Sequence, residues 1–328
     1  MNARQYLEWL PHSAGVGSNS TVNCGQISHA KSTPPYGVPS GAFSRIAARR
    51  SRHKFLTKRF FNPLSILEAL IINRRSFRGL LTAIAVASVI PGMVQAQDPP
   101  VANNVVLVHG LYADGSSWID VIPYLQRAGL QVTAVQNPLT SLADDVAATR
   151  RVLASQNGPT VLVGHSFAGT IISEVGNDPK VSALVYVAAR APDAGEDFAA
   201  LAAKFPKPPA SAGVVKANEF FWLSEVSFLR DFAGDLDPAR ARSLYAVQGR
   251  GADALPNTKT TTAAWRAKPT WYQVSTEDRT INPELERFLA KRMNATTIEL
   301  DSSHVSLVSH PKEIADLILL AAGHNGSR

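Results

Sequence analysis

Cysteine is almost absent from the sequence, because Cys24 is the single one in 328 residues. From Gln97 onward the chain therefore has no internal disulfide and no cysteine-ligated metal site, and its thiol content does not distinguish an oxidising from a reducing compartment. Histidine motifs that bind metals are lacking as well, since the histidines after Gln97 show no HExxH or comparable spacing. We expect no metal and no cofactor.

An excess of basic charge is also missing from the main part of the chain. The formal net charge of +7 arises in residues 1–96, which hold 12 Lys and Arg against 2 Asp and Glu, whereas residues 97–328 hold 21 against 24. A nearly neutral body lacks the electrostatic attraction that nucleic-acid binding requires. Nucleic acid is therefore not an expected partner.

The first 96 residues divide into two parts. Residues 1–73 are rich in Ser, Pro, Gly and Arg without sustained periodicity, which indicates a disordered leader or a segment that is not translated, with the true start near Asn73. Residues 74–96 combine Arg74 and Arg75 with an uncharged run and the small-residue site Val94-Gln95-Ala96. This pattern predicts a secretory signal peptide that resembles the twin-arginine type.

A transmembrane anchor is the alternative interpretation of this segment. The unbroken apolar core Leu80–Ile90 has 11 residues and is followed by Pro91-Gly92, whereas a spanning helix needs roughly 20. We therefore expect a secreted or periplasmic protein without a stable membrane anchor, or a cytoplasmic one if the signal is not recognised. The pattern leaves twin-arginine and general secretory export open.

Apolar, β-branched segments alternate with helical ones in the rest of the chain, residues 97–328. The alternation predicts an α/β fold with about six mostly parallel strands and helices on both faces. The predicted strands are Val105–Val108, Gln131–Val135, Thr160–Val163, Val181–Ala188, Thr270–Ser275 and Thr296–Leu300. The predicted helices are Ser117–Ala128, about 141–155, 167–175, Pro283–Met293 and Pro311–Ala322.

The alternation breaks between residues 190 and 268. This stretch contains several prolines, the aromatic cluster Phe220-Phe221-Trp222, and short helical periods at Ser224–Phe232 and Pro238–Val247. So long an excursion with so many aromatic residues needs a surface to pack on. We predict a helical cap over the carboxyl ends of the strands, where open α/β sheets bind ligands.

Ser166 lies in the segment around which this arrangement is organised, TVLVGHSFAG. A buried strand ends just before it and a helical pattern begins just after it, which is the setting of a nucleophile elbow. A serine on such a strained turn needs small neighbours, and Gly164, Ala168 and Gly169 meet that requirement. Ser166 is therefore the candidate nucleophile.

A serine nucleophile needs a histidine base that is oriented by a carboxylate. Asp278 follows the strand Thr270–Ser275, and His304 follows the strand Thr296–Leu300, so both lie at strand ends. We predict a triad of Ser166, Asp278 and His304, in the chain order typical of such enzymes. Glu277 stays open as the alternative acid, although alternation in an extended segment would point its side chain to the side opposite that of Asp278.

Four further residues are weaker candidates: His109, His165 and Asp193 near strand ends, and His310 at a predicted helix start. Asp193 is a less favoured acid. His109 and His310 are expected to be structural, and the side chain of His165 is expected to point away from the neighbouring nucleophile. The backbone amides of Leu111 and Phe167 are the predicted oxyanion donors, because Gly110 allows the chain to approach closely there.

Several motifs together resemble the α/β-hydrolase superfamily: VVLVHG, Gly115-Ser-Ser-Trp118, GHSFAG, Glu277-Asp278-Arg279, Ser303-His304 and His310-Pro311. The branch that the chain resembles holds plant methylesterases, hydroxynitrile lyases and many bacterial esterase-like proteins. The resemblance spans about Val105 to Ala322 and implies a Ser-Asp-His triad, an acyl-enzyme intermediate and no cofactor. Hydroxynitrile lyases carry a lysine directly after the catalytic histidine, where this chain has Val305, so cyanohydrin cleavage is disfavoured.

The sequence thus predicts a serine hydrolase of the carboxylesterase type acting on small to medium apolar esters, with a small-molecule ester as its partner. Two alternatives remain open. One is a cofactor-free perhydrolase that uses the same triad, and the other is a small-molecule-binding protein with little or no turnover.

Overall fold

The computed structural model describes residues 101–324. The predicted leader (1–73) and signal peptide (74–96) lie outside these residues. The strands are β1 (Asn104–Val108), β2 (Gln131–Val135), β3 (Thr160–His165), β4 (Val181–Val187), β5 (Val214–Ala217), β6 (Phe220–Leu223), β7 (Gly251–Ala252), β8 (Thr270–Ser275) and β9 (Thr296–Leu300). The α-helices are α1 (Ile122–Arg127), α2 (Leu142–Ala154), α3 (Ala168–Val175), α4 (Phe198–Ala202), α5 (Glu225–Ser227), α6 (Pro238–Ala246), α7 (Pro283–Arg292), α8 (Ser306–Ser309) and α9 (Pro311–Ala321).

Six of the strands form a parallel sheet in the order β2-β1-β3-β4-β8-β9. They are the six strands predicted from the sequence, with ends that differ by at most two residues. Because all six run in the same direction, the loops that follow them emerge at one edge of the sheet. The chemistry-bearing loops after β1, β3, β8 and β9 are therefore neighbours in space.

The core lies on both faces of this sheet. Alternate residues of β1 and β3, such as Val105 and Val163, pack on one face with the apolar side chains of α1 and α9. The residues between them, such as Val106 and Leu162, pack on the other face with α2, α3 and α7. Burial on both faces explains why the central strands consist largely of apolar residues, mostly Val and Leu.

The predicted helix Ser117–Ala128 is divided in the structure. A 3-10 turn covers Gly115–Trp118, and α1 begins at Ile122 with Pro123 in its first turn. Proline has no backbone N–H and clashes with a preceding helical turn, so it is tolerated in the first turn of a helix but not in its interior. The predicted helix is therefore interrupted before Pro123, and α1 begins there.

No helix within residues 101–324 has both the length and the apolar composition needed to cross a membrane.

The segment between β4 and β8 contains the predicted helical elements and also a small sheet that the sequence analysis did not predict. Strands β5, β6 and β7 pair antiparallel in that order, and β6 contains the aromatic cluster Phe220-Phe221-Trp222. The predicted helix Ser224–Phe232 is a single α-turn, α5, followed by a π-helical turn over Phe228–Phe232. The prediction of a helical cap is therefore corrected in one respect, because this segment also contains an antiparallel sheet.

Candidate active site

Ser166 lies on the tight turn between β3 and α3. Its φ is +57°, in the left-handed region that residues other than glycine rarely adopt. Two backbone hydrogen bonds hold the turn: the N–H of Ser166 donates to the carbonyl of Val187 (3.1 Å), and the N–H of Arg190 donates to the carbonyl of Ser166 (3.0 Å). The turn is thereby fixed to the carboxyl end of β4.

Glycines beside Ser166 allow backbone segments to touch. A Cβ atom on Gly169 would overlap the carbonyl oxygen of Arg190, and one on Gly164 would lie 2.9 Å from the carbonyl oxygen of Ala168. Both obstacles are main-chain atoms, which cannot rotate away as a flexible side chain could. The predicted need for small residues in this turn thus has a defined steric cause.

Ser166, His304 and Asp278 form one hydrogen-bonded chain. The Oγ atom of Ser166 lies 2.7 Å from Nε2 of His304, and Nδ1 of His304 lies 2.5 Å from Oδ2 of Asp278. All three residues are buried. This is the geometry in which a histidine can take a proton from the serine hydroxyl while a carboxylate holds the proton on its other nitrogen.

The orientation of Asp278 is set by its own backbone neighbours. Its Oδ1 atom accepts hydrogen bonds from the N–H groups of Thr280 (2.6 Å) and Ile281 (2.9 Å), which leaves Oδ2 to face His304. The alternative acid, Glu277, is exposed. The structure therefore brings Asp278, and not Glu277, to the histidine.

Two buried titratable groups, His165 and Glu286, lie next to the hydrogen-bonded residues Ser166, His304 and Asp278. The Nε2 atom of His165 is 2.9 Å from the main-chain oxygen of His304, and burial holds the pKa of His165 well below its ordinary value. Glu286 on α7 accepts a hydrogen bond from the N–H of Ser275 (3.0 Å), and burial, followed by the nearby charge of Asp278, raises its pKa well above the ordinary value. Burial therefore disfavours the charged form of both groups next to Asp278 and His304.

The loop after β1 packs directly on the serine turn. A Cβ atom on Gly110 would lie 2.7 Å from Cβ of Ser166 and 3.0 Å from the backbone nitrogen of Phe167. The backbone N–H groups of Leu111 and Phe167 donate to no other group within residues 101–324. Two unused backbone donors thus lie in adjacent chain segments next to the serine.

A cavity of about 700 Å³ opens at Ser166. Its apolar lining includes Leu111, Phe167, Phe198, Phe221, Leu223 and Leu285. Its charged lining includes Arg190, Lys207, Lys216 and Asp253. The cap segment contributes much of this wall. A mainly apolar cavity with few charged groups is typical of a small-molecule site.

The weaker candidates have structural contacts. The Nε2 atom of His109 accepts a hydrogen bond from the backbone N–H of Asn137 (2.9 Å), and burial lowers the pKa of His109. His310 hydrogen-bonds Ser309 at the start of α9, and Asp193 pairs with Arg266.

Among residues 101–324, no three His, Cys, Asp or Glu side chains converge as metal ligands.

The fold agrees with what comparisons with known proteins find. The sequence model that defines the alpha/beta hydrolase family matches residues 105–317. The chain belongs to the alpha/beta hydrolase family. The resemblance predicted from the motifs is thereby confirmed.

Individual relatives are distant. An alpha/beta hydrolase of Aspergillus novofumigatus is 23% identical over 67% of this chain and 96% of its own length. A carbendazim hydrolyzing esterase of Nocardioides is 33% identical over 33% of this chain and 51% of its own length. The crystal structure of polyneuridine aldehyde esterase superposes with a TM-score of 0.57 at 21% identity, covering 66% of this chain and 98% of that one.

Sequence reasoning missed Arg190 and Glu286 as residues of this site. It also missed the contact of His165 with the main-chain oxygen of His304. Arg190 had a usable signal, because it is the lone charge in the stretch Val181–Ala191 and follows the predicted buried strand Val181–Ala188. Glu286 had none, since a glutamate in a charged helix is ordinarily exposed.

Proposed function

We propose that the protein is a serine hydrolase that cleaves small to medium-sized carboxylic esters with an apolar part. The observation that carries this proposal is the hydrogen-bonded chain Ser166–His304–Asp278 at the wall of a mainly apolar cavity. Ester cleavage in particular is supported by the esterases among the relatives.

In the proposed reaction, Oγ of Ser166 attacks the ester carbonyl carbon while its proton moves to Nε2 of His304. The carbonyl oxygen becomes an oxyanion that accepts hydrogen bonds from the N–H groups of Leu111 and Phe167. Asp278 keeps the proton on Nδ1 and stabilises the imidazolium that forms. Collapse of the tetrahedral intermediate breaks the bond to the alkoxy oxygen, which takes the proton from His304 and leaves as the alcohol.

The second half of the reaction regenerates the serine. Water gives a proton to Nε2 of His304 and attacks the acyl carbon, and the same backbone donors hold the second oxyanion. The bond to Oγ then breaks, Ser166 recovers its proton from His304, and the carboxylic acid leaves. One ester and one water give one acid and one alcohol.

Labelling with a fluorophosphonate tests the proposal, because this reagent reacts with activated serines. We expect the wild-type protein to label and to hydrolyse p-nitrophenyl esters, and Ser166→Ala to lose both properties. Ser243→Ala removes a serine on the exposed face of α6 and is the matched control. A folded wild-type protein that neither labels nor turns over any ester would contradict the proposal and favour a binding protein.

We also propose that residues 74–96 direct export of the mature domain. The proposal rests on the arginine pair, the short apolar core and the small-residue site described above. Mass spectrometry of the native N-terminus tests it, with a start at Gln97 as the expected result. A peptide from residues 1–60 in the mature protein would contradict it.

A further inference from the structure

Arg190 brings a positive charge to the wall of the cavity that contains Ser166. Its backbone N–H donates to the carbonyl of Ser166 (3.0 Å), so its main chain is fixed to the serine turn. Its guanidinium lies over the rings of Phe167 and Phe198, with its central carbon 5.5 and 5.0 Å from the ring centres. Aromatic packing on two rings holds this cation beside the predicted nucleophile.

No carboxylate within residues 101–324 forms an ion pair with Arg190. The acidic residues that lie close to it in the sequence or line the same cavity have other partners. Asp193 pairs with Arg266, Glu196 with Arg292 (2.7 Å) and Asp253 with Lys216 (3.1 Å). The charge of Arg190 is therefore not compensated by the carboxylates around it.

The hydrogen-bonding capacity of Arg190 is largely unused. A guanidinium has five N–H donors, and in the described part of the chain only Nη1 has an acceptor, the carbonyl oxygen of Pro256 at 3.0 Å. Burial lowers the pKa of Arg190 to about 10, which still leaves it charged at neutral pH. A partly desolvated cation with free donors in a fixed plane is suited to a carboxylate, which it can bind through two parallel hydrogen bonds.

The other charged groups at the cavity favour the same kind of ligand. Lys207 is exposed at the cavity wall, and Lys216 and Asp253 neutralise each other. The cavity thus carries a net positive charge among its described residues. Such a wall attracts anions and repels cations.

We propose that Arg190 binds a carboxylate of the substrate, so that the ester cleaved at Ser166 has an apolar body and one additional anionic group. This inference rests on the serine-hydrolase function proposed above and assigns its substrate class: monoesters of dicarboxylic acids, or esters whose alcohol part carries a carboxylate. Arg190 is then a specificity-determining residue, because its effect depends on the charge of the substrate.

Two pairs of esters test the assignment and locate the carboxylate. In the first pair, mono-p-nitrophenyl glutarate is compared with p-nitrophenyl pentanoate, so the charge lies in the acyl part. In the second pair, 4-(butanoyloxy)benzoate is compared with 4-methylphenyl butanoate, so the charge lies in the leaving group. We expect the wild-type enzyme to have the higher kcat/KM for the anionic member of at least one pair.

Arg190→Gln should lower kcat/KM for that anionic ester by about 10- to 100-fold, the usual effect of losing a charge-assisted hydrogen bond. The value for its neutral partner should fall by a clearly smaller factor, because that ester has no carboxylate for Arg190 to bind. Arg190→Lys keeps the charge without the planar fork and should recover part of the loss. Arg242→Gln removes an exposed surface charge and should alter neither ester.

The outcomes separate the two proposals. A wild-type enzyme that hydrolyses no ester contradicts the proposed function itself. Activity on the neutral esters with no preference for either anionic one contradicts the assignment of Arg190 alone, as does an equal change of both substrates in a folded Arg190→Gln. If that variant does not fold, inhibition of the wild type by glutarate but not by glutaramide supports the assignment, and equal inhibition contradicts it.

Discussion

Replacement of Asp278 by asparagine changes hydrogen-bonding polarity without changing shape. In the structure Oδ1 accepts from two backbone N–H groups, those of Thr280 and Ile281, while Oδ2 faces Nδ1 of His304. An asparagine can satisfy the two backbone donors only with its oxygen. Its NH₂ group must then point at His304.

The consequence falls on the tautomer of His304. With a donor opposite it, Nδ1 must accept, so the neutral ring carries its proton on Nε2. That nitrogen lies 2.7 Å from Oγ of Ser166 and can no longer accept the serine proton. We expect kcat to fall by about 10⁴-fold, as the equivalent change does in serine proteases, which corresponds to about 5.5 kcal/mol on the barrier.

The assay is steady-state hydrolysis of a p-nitrophenyl ester, with urea unfolding of the same samples. Asp278→Asn should keep a stability close to that of the wild type, because the backbone contacts are retained. Glu277→Gln, an exposed neighbour with the same chemistry, is the matched control and should keep full activity. Activity of Asp278→Asn within tenfold of the wild type, or a comparable loss in Glu277→Gln, would refute the reasoning.

Three further predictions concern stability. Gly169→Ala should destabilise the fold by about 3 kcal/mol or prevent folding, because the added Cβ would overlap the main chain of Arg190. In the control variant Gly115→Ala, the added Cβ meets only the flexible side chain of Gln136, so the loss of stability should be much smaller. Similar urea midpoints for the two variants would contradict this. Burial raises the pKa of Asp145 from 3.8 to about 6, so the folded state binds more protons than the unfolded one in this window, and the free energy of unfolding should fall as the pH rises from about 4 to 6. Asp145→Asn should remove this step, and an unchanged pH dependence in urea titrations would count against it. Lys180→Met should cost about 1 kcal/mol, since Nζ donates to the carbonyls of Leu153, Ala154 and Gln156 at the end of α2, and an unaltered urea midpoint would speak against that role.

The strands were predictable because their signal is local. A strand that is buried on both faces needs apolar, β-branched residues at nearly every position, and β3 and β4 show this pattern directly in the sequence. The serine turn was predictable for a similar reason, since a strained φ at Ser166 requires small residues within three positions of it. Asp278 and His304 followed from their places directly after strands.

The cap was less predictable because its elements depend on distant partners. Strand β6 is paired with β5 next to it and with β7 about 30 residues away, and an aromatic cluster by itself does not distinguish a strand from a helix. The same limit applies to Glu286. Its burial depends on how α7 packs against β8, which no local pattern records.

The sequence by itself determined the six strands, the turn at Ser166 and the places of the candidate acids and of His304 after strands, because each of these depends on residues close together in the chain. The tertiary structure decided between Asp278 and Glu277, since only the backbone donors of Thr280 and Ile281 and the position of His304 show which carboxylate faces inward. It also decided that Arg190 lies uncompensated at the cavity. Which charges are paired depends on segments far apart in the chain, and their distances are set only when the whole chain packs.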